Sequence, residues 1–225
     1  MHSVGALDTV QGKTRHERIH NVAAMTFLDA DGNPRQFTWR TIQTWFYRSE
    51  EQWIAIAERL KLTPCPHCHA VGYLIRHGAL HGFDDTSPKR KTLRARRLFC
   101  SNRHLRRGCG RTFSVWLADK IRRLSLTAGA LGTFLKRVLT GSLRAACRAA
   151  GDYLCDRTWQ RLWKRFDLGQ CRIRTALLGL CPPPQGAPAT IRPLAAQVLA
   201  HLHAAFPNAD CPIAAFQMTL NAFFL

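Results

Sequence analysis

Four cysteines in two pairs constrain this chain more than any other feature. The first pair lies in Pro64-Cys65-Pro66-His67-Cys68, and the second is Cys100 and Cys109 within LFCSNRHLRRGCGRTFSV. A C-x2-C spacing makes a tight turn that brings two thiolates to one metal ion about 2.3 Å away. The eight residues between Cys100 and Cys109 are more than the usual two, so the loop 101–108 has to bulge outward while its ends converge. Leu98-Phe99 before it and Thr112-Phe113-Ser114-Val115 after it can pair as a hairpin, and Gly108 and Gly110 free the backbone beside Cys109. The segment 64–116 otherwise offers only short apolar pieces between Cys, Gly, Pro and Arg clusters, too few to hold a fold without a staple. The pattern predicts a zinc ribbon: one structural Zn2+ in a closed shell of Cys65, Cys68, Cys100 and Cys109, with no position left for catalysis. The competing reading is four core thiols. His67, His69 and His104 lie near enough in sequence to substitute as ligands.

Charge points to the partner. The 225 residues carry 33 Lys and Arg against 14 Asp and Glu, a formal net charge of +19, and 26 of those cations are arginine. Such an excess repels itself unless a polyanion relieves it, and forked guanidinium groups suit phosphate and guanine edges. A ribosomal-type or merely basic protein is the bland alternative. No acidic residue occurs from 86 to 118, a stretch that holds Lys89, Arg90 and Lys91 as well as Arg94, Arg96, Arg97, Arg103, Arg106, Arg107 and Arg111. A charge run is usually a solvated face, but beside a metal-fixed loop these last seven are placed to follow a phosphate backbone.

The first twenty residues lack a cationic start followed by a long apolar run, and no stretch is long enough to span a membrane. The expectation is a cytoplasmic, nucleoid-associated protein without a membrane partner, in which the nine cysteines serve as thiols and ligands rather than disulfides.

The chain reads as mainly α with a small β zinc ribbon. The expected divisions are a helical N-terminal segment (1–63), the ribbon (64–118), a helix-turn-helix domain (119–180), a Pro-rich linker (181–190) and a C-terminal helical pair (191–225). Asp31-Gly32-Asn33-Pro34 signals a turn. A helix is expected from Thr38, its N-cap, to Pro64, with Ile42, Trp45, Phe46, Ile54 and Ala57 on its apolar side. Its first part, 38–48, exposes Arg40, Thr41, Gln43, Thr44 and Arg48 and is a second helix-turn-helix candidate or equally a core helix. After the ribbon, Leu131, Phe134, Leu135, Val138 and Leu139 recur at helical spacing up to Gly141. Ser142 can cap a second helix with a small-residue stripe at Leu143, Ala146, Cys147 and Ala150. Beyond Gly151, Asp156 is expected to cap a third, apolar at Trp159, Leu162, Trp163 and Phe166. The outer face of that third helix carries Arg157, Thr158, Gln160, Arg161, Lys164 and Arg165. This is the layout of a support helix, a glycine-containing turn and a recognition helix for double-stranded DNA; an ordinary three-helix unit with a solvated cationic face is the alternative. Residues 193–205 and 212–225 read as two apolar helices that need docking, either inside the chain or onto a second copy or a recombinase.

The run CPHC, then YLIRHG, then FCSNRHLRRGCGRTFSV resembles the zinc ribbons at the front of bacterial insertion-sequence transposases, and the helices after it are similar to the helix-turn-helix those enzymes use on element ends. FTWRTIQTWFYR also looks like sequence from transposase N-termini. The resemblance covers roughly residues 64–166. It implies an RNase H-like domain with three metal-binding carboxylates downstream. Here only Asp167 and Asp210 are acidic after Asp156, and Glu50-Glu51 and Asp84-Asp85 have no third partner. No tyrosine or serine stands in a nucleophile context. The expectation is therefore a DNA-binding accessory or regulatory protein of a mobile element rather than an enzyme. The alternative is a truncated or unusual transposase or recombinase. An RNA-binding zinc protein is a third class, disfavoured because the aromatic residues read as helix core.

Overall fold

The computed structural model describes residues 24–28 and 34–38 as backbone and residues 45–103, 107–150, 153–186 and 190–225 in full. Contacts divide the chain into two units, Met1–Thr41 and Ile42–Leu225. In the first, β1 (Ala24–Leu28) and β2 (Pro34–Thr38) pair antiparallel, with Leu28 opposite Pro34. Pro34 opens its strand, where a missing N–H costs least. The turn expected at Asp31-Gly32-Asn33 lies outside the described residues.

The second unit is a sheet backed by helices. Its strands are β3 (Trp45–Tyr47), β4 (Leu74–Asp84), β5 (Ser87–Cys100) and β6 (Thr112–Leu117), in the order β3-β6-β5-β4. β4, β5 and β6 run antiparallel, and β3 joins β6 in parallel. The register puts Leu74 opposite Cys100, Leu98 opposite Phe113, and Tyr47 beside Leu117. One sheet face thereby gathers Leu74, Leu98, Phe113 and Val115 under Trp53 of α1 (Glu50–Glu58) and Leu60 of the 3-10 turn after it. Ser49 caps α1 by accepting from the Gln52 amide, while the Gln52 side chain accepts from the Arg48 amide. Three register shifts along β4 and β5 bend the long hairpin away from a flat edge.

The helical layer comprises α2 (Ala128–Thr140), α3 (Leu143–Ala149), α4 (Asp156–Leu178), α5 (Pro193–Ala205) and α6 (Pro212–Leu220). Thr127 and Ser142 cap α2 and α3 through their hydroxyls, and Pro193 and Pro212 occupy first helical positions where proline is tolerated. Leu131, Phe134 and Leu135 of α2, Trp159, Leu162 and Phe166 of α4, Val198 and Leu202 of α5, Ile213 and Phe216 of α6, and Phe224 share one buried core. Each large side chain so buried contributes roughly 1.5–3 kcal/mol.

Four expectations are corrected. The fold is mixed α/β, not mainly α, because a four-stranded mixed sheet stands beside the helices of the second unit. The helix expected from Thr38 does not exist as such: Thr38 ends β2, Trp45-Phe46-Tyr47 is a strand, and the helix begins at Glu50. Trp45 and Phe46 looked like one helical face, yet Trp45 packs edge-on to Phe113 and Phe46 to Phe223, which alternation in a strand requires. The weak recognition-helix candidate at 38–48 falls with it, and residues 39–44 lie outside the described residues. Cys155, not Asp156, is the N-cap of α4. The C-terminal helices spend their apolar faces inside the chain, with Val198, Leu199, Leu202, Ile213, Phe216 and Phe224 buried and Leu194 left exposed. The start of the linker is pinned, since the Cys181 carbonyl meets His201 Nε2 at 2.9 Å, and Arg192 beyond it lies over Trp163 at 4.5 Å.

A candidate metal centre and a basic helix

The C-x2-C turn folds as its spacing requires. The Cys65 amide donates to the Ala70 carbonyl, His69 N–H returns to the Cys65 carbonyl at 2.8 Å, and His67 N–H points at Cys65 Sγ. His69 takes a left-handed conformation, φ 60°, to close the turn. On the other side Cys100 N–H bonds the Arg111 carbonyl, Gly110 N–H bonds the Cys100 carbonyl, and Cys109 N–H points at Cys100 Sγ. The long loop is pinched at its base by Gly108 N–H on the Ser101 carbonyl. A side chain at Gly108 would collide with that carbonyl oxygen, and at Gly110, φ +70°, it would meet the Asn102 amide at 2.7 Å. Both glycines are therefore required for the convergence of the pair.

The four sulfurs all lie within 4.8 Å of one another and could hold a metal ion. Cys65 and Cys109 are 3.8 Å apart, and Cys68 and Cys100 3.7 Å. A tetrahedron of thiolates with bonds of about 2.3 Å has edges of about 3.8 Å, which these two separations match, and no other pair is more than 4.8 Å apart. Cys65 and Cys100 are fully buried, Cys109 is half-buried and Cys68 is exposed. Burial pushes the Cys65 thiol up and the Cys100 thiol to about 12. Burial also opposes ionisation of Cys68, but the Ala70 amide and the neighbouring thiols outweigh it and hold its pKa below the ordinary range. A metal entering this site has to displace protons. His67 is half-buried, edge-on to Phe113, and His69 is exposed; the sulfurs close the set without them. His104 lies outside the described residues. Among the described residues no second cluster of three or more His, Cys, Asp or Glu is close enough to hold a metal.

The sequence-derived DNA contacts separate into groups. Arg94 is buried, and its guanidinium donates to the carbonyls of Phe83 at 3.0 Å, Ile121 at 2.8 Å and Leu124 at 2.5 Å, so this side chain serves the fold instead of a phosphate. Arg96 donates to both carboxylate oxygens of Glu50 at 2.8 Å and lies over Trp53. Arg97 is half-buried on β5; Arg103, over the ring of Phe99, and Arg107 and Arg111 are exposed. Arg106 lies outside the described residues. In α4, Arg157, Gln160, Arg161, Lys164 and Arg165 are exposed and Thr158 is half-buried, opposite buried Trp159, Leu162 and Phe166. α4 runs for 23 residues, about 35 Å at about 1.5 Å each, and its buried face, from Trp159 to Leu177, shares one core with α2, α5 and α6. Its basic half is left open, and among the described residues no carboxylate pairs with it.

A polar joint between sheet and helices was not apparent in the sequence. Asp84, fully buried at the tip of the β4–β5 hairpin, accepts from Thr86, from Thr92 at 2.6 Å and from Lys120 Nζ at 2.8 Å. Burial alone would raise this carboxyl, but the Lys120 ammonium and the two hydroxyls hold it well below the usual carboxylate range. Asp85 accepts from the amide and hydroxyl of Thr127, the cap of α2. Gln217 of α6, also fully buried, donates to the carbonyls of Ala118 and Lys120 and accepts from the Phe224 amide. The only sequence sign was the adjacent Asp84-Asp85 in an otherwise cationic region.

No helix among the described residues is long and apolar enough to cross a membrane. Comparison with known proteins gives no matching family model, no matching curated protein and no matching solved structure.

Proposed function

We propose that this chain is a zinc-stabilised binder of double-stranded DNA, in which α4 enters the major groove and the arginine-rich loop beside the thiol cluster holds phosphates. The observation that carries the reading is the open basic half of α4. A helix with one face locked in a core and with unpaired Arg, Gln and Lys on the other is the arrangement that groove recognition uses. Arg157, Gln160 and Arg161 stand in its first two turns, where guanine and adenine edges are read; Lys164 and Arg165 follow at phosphate-contacting positions. The four-sulfur shell favours Zn2+, which takes four thiolates tetrahedrally, and a shell so closed makes the ion structural. The likeness of residues 64–166 to transposase end-binding regions supports an accessory or regulatory role at the ends of a mobile element, acting at the nucleoid.

The test is a duplex selected from a random pool by the protein itself. Arg161→Ala is expected to weaken binding to that site by roughly tenfold to a hundredfold, in keeping with the loss of one base contact, and binding to random duplex by far less. Equal losses on both duplexes would refute base readout by α4.

A further inference from the structure

The face of the sheet opposite the thiol cluster holds a cleft of ≈ 300 Å³ whose walls include Leu80, Phe83 and Trp116 and whose rim carries His81, Arg122 and Arg123. That volume is at the small end of ligand sites, which run from roughly 300 to 1,000 Å³. Its rim is a built structure. Lys120 bridges to Thr127, Ile121 N–H bonds the Leu126 carbonyl, and Leu124 N–H bonds the Ile121 carbonyl at 3.3 Å, which leaves Arg122 and Arg123 at the tip of a small hairpin. Arg123 sits at φ 60°, a conformation that costs a non-glycine residue free energy. Buried Arg94 holds the turn in that shape by bonding the carbonyls at both of its ends, Ile121 and Leu124. The absence of a side chain at Gly82 makes this possible, since a Cβ there would lie 2.6 Å from Arg94 Cδ. One arginine is thus buried to present two others.

The cleft is aromatic within and cationic at its mouth. Arg122 and Arg123 are exposed, and among the described residues neither has a carboxylate partner. Lys91 adds a further charge over Phe83 at 5.9 Å, and Arg122 lies over Phe223 at 4.9 Å, with that ring edge-on to Trp116. Nearby Asp84 and Asp85 are turned inward onto Lys120 and Thr127, so they do not cancel this field. Aromatic walls beside two arginines without carboxylate partners match a flat heterocycle that carries a phosphate, and a base offers its face for such stacking when it is out of a duplex.

We propose that this cleft binds one unpaired nucleotide, its base stacked against the aromatic wall of Trp116 and Phe83 and its phosphate held by Arg122 and Arg123. The site is separate from α4 and does not rest on the duplex reading given to that helix.

The experiment measures binding of the intact, metal-loaded protein to a labelled single-stranded oligonucleotide and to a blunt hairpin duplex, over a range of salt. Trp116→Leu is expected to weaken single-strand binding by roughly fivefold to a hundredfold, the range for loss of one stacking surface, and to leave duplex binding within about twofold. The double change Arg122→Ala with Arg123→Ala involves only exposed side chains and keeps the test decisive if Trp116→Leu fails to fold. It is expected to lower the single-strand salt slope by about 1.4, two charges at about 0.7 each. Arg161→Ala is expected to show the reverse preference, a duplex loss with single-strand binding retained, so failure of the cleft and failure of α4 are distinguishable. Competition by a free mononucleotide would identify a nucleotide site that needs no strand, and competition only by an oligonucleotide would identify a site for a strand; either supports the proposal. Equal loss of single strand and duplex in the cleft variants, unchanged single-strand binding, or competition by inorganic polyphosphate as strong as by nucleotide would overturn it.

Discussion

Exchange of Cys100 for serine is expected to release the metal ion and unfold the end of the sheet that the four sulfurs tie together. Cys100 is fully buried, opposite Leu74 in the register of β4 and β5, and both its amide and its carbonyl are bonded across the second cysteine pair. Structural zinc in thiolate sites has an apparent binding free energy of roughly 10–16 kcal/mol, as large as the whole stability of a domain at about 5–15 kcal/mol. The cluster that this ion would anchor is small, with Tyr47, Trp53, Leu60, Leu74, Leu98, Phe113 and Val115 as its large buried side chains. Zinc per chain should fall from one toward zero, with loss of the fluorescence and near-ultraviolet signals of buried Trp53. A serine variant that keeps stoichiometric zinc and native signals would reject Cys100 as a ligand. Chelation of the unaltered protein should have the same effect. Acid should weaken the site, because the Cys65 and Cys100 thiols hold their protons far above neutral pH and compete with the ion more strongly as pH falls.

The second large effect is expected at Asp84. Its removal leaves Lys120, itself almost fully buried, with only the half-exposed carboxylate of Asp119 at 3.0 Å. Removal of one partner of a buried pair costs about 3–5 kcal/mol, because the remaining charge is stranded. Asp84→Ala should therefore lower the urea midpoint with little change in slope, and a loss below about 1 kcal/mol would show that Asp119 and water suffice for Lys120. The pH dependence has a definite sign. The folded carboxyl lies well below its unfolded value of about 3.9. The stability it supplies is fully present above that value and declines as pH falls toward the folded pKa, since only the unfolded chain binds the proton there. The alanine variant should lose less stability between pH 4 and pH 2 than the parent, within about that window. An identical acid slope in both would place the acid sensitivity elsewhere.

The parts of the fold legible in the sequence were those encoded locally. The knuckle at Cys65 and Cys68, the Ser142 cap of α3, the 3.6-residue periodicity of Leu131 to Leu139 and the prolines that open α5 and α6 each act within one turn of chain, and each can be read without knowledge of the rest. Leu98 and Phe99 do pair with Phe113 and Thr112 as expected, but the rest of the sheet was misjudged for the opposite reason. β3 is three residues long and exists because Trp45 finds Val115, a pairing that no local pattern announces. β4 and β5 were obscured by alternating cations along a hairpin whose register shifts break the two-residue period. Charge type was legible, but charge destination was not. Arg94 and Arg96 looked identical to Arg103 in the acid-free run, yet one clasps a turn, one pairs with Glu50 and the third is exposed. The cleft was hidden because its wall and rim come from β4, β6 and the turn after β6.

The Gln217 hydrogen bonds have a kinetic consequence. Gln217 reaches Ala118 across 99 positions and Lys120 across 97, and it also receives the Phe224 amide. Contacts so distant in sequence are made late, because the entropy of closing the intervening loop is lost before the bond returns anything. During synthesis the sheet emerges well before its last fastening, and the loop that carries Arg122 and Arg123 waits, incompletely anchored, for α6. The turn at Arg122 and Arg123 has its shape from Arg94, and α6 adds the last fastening to the chain that leads into it, at Ala118 and Lys120.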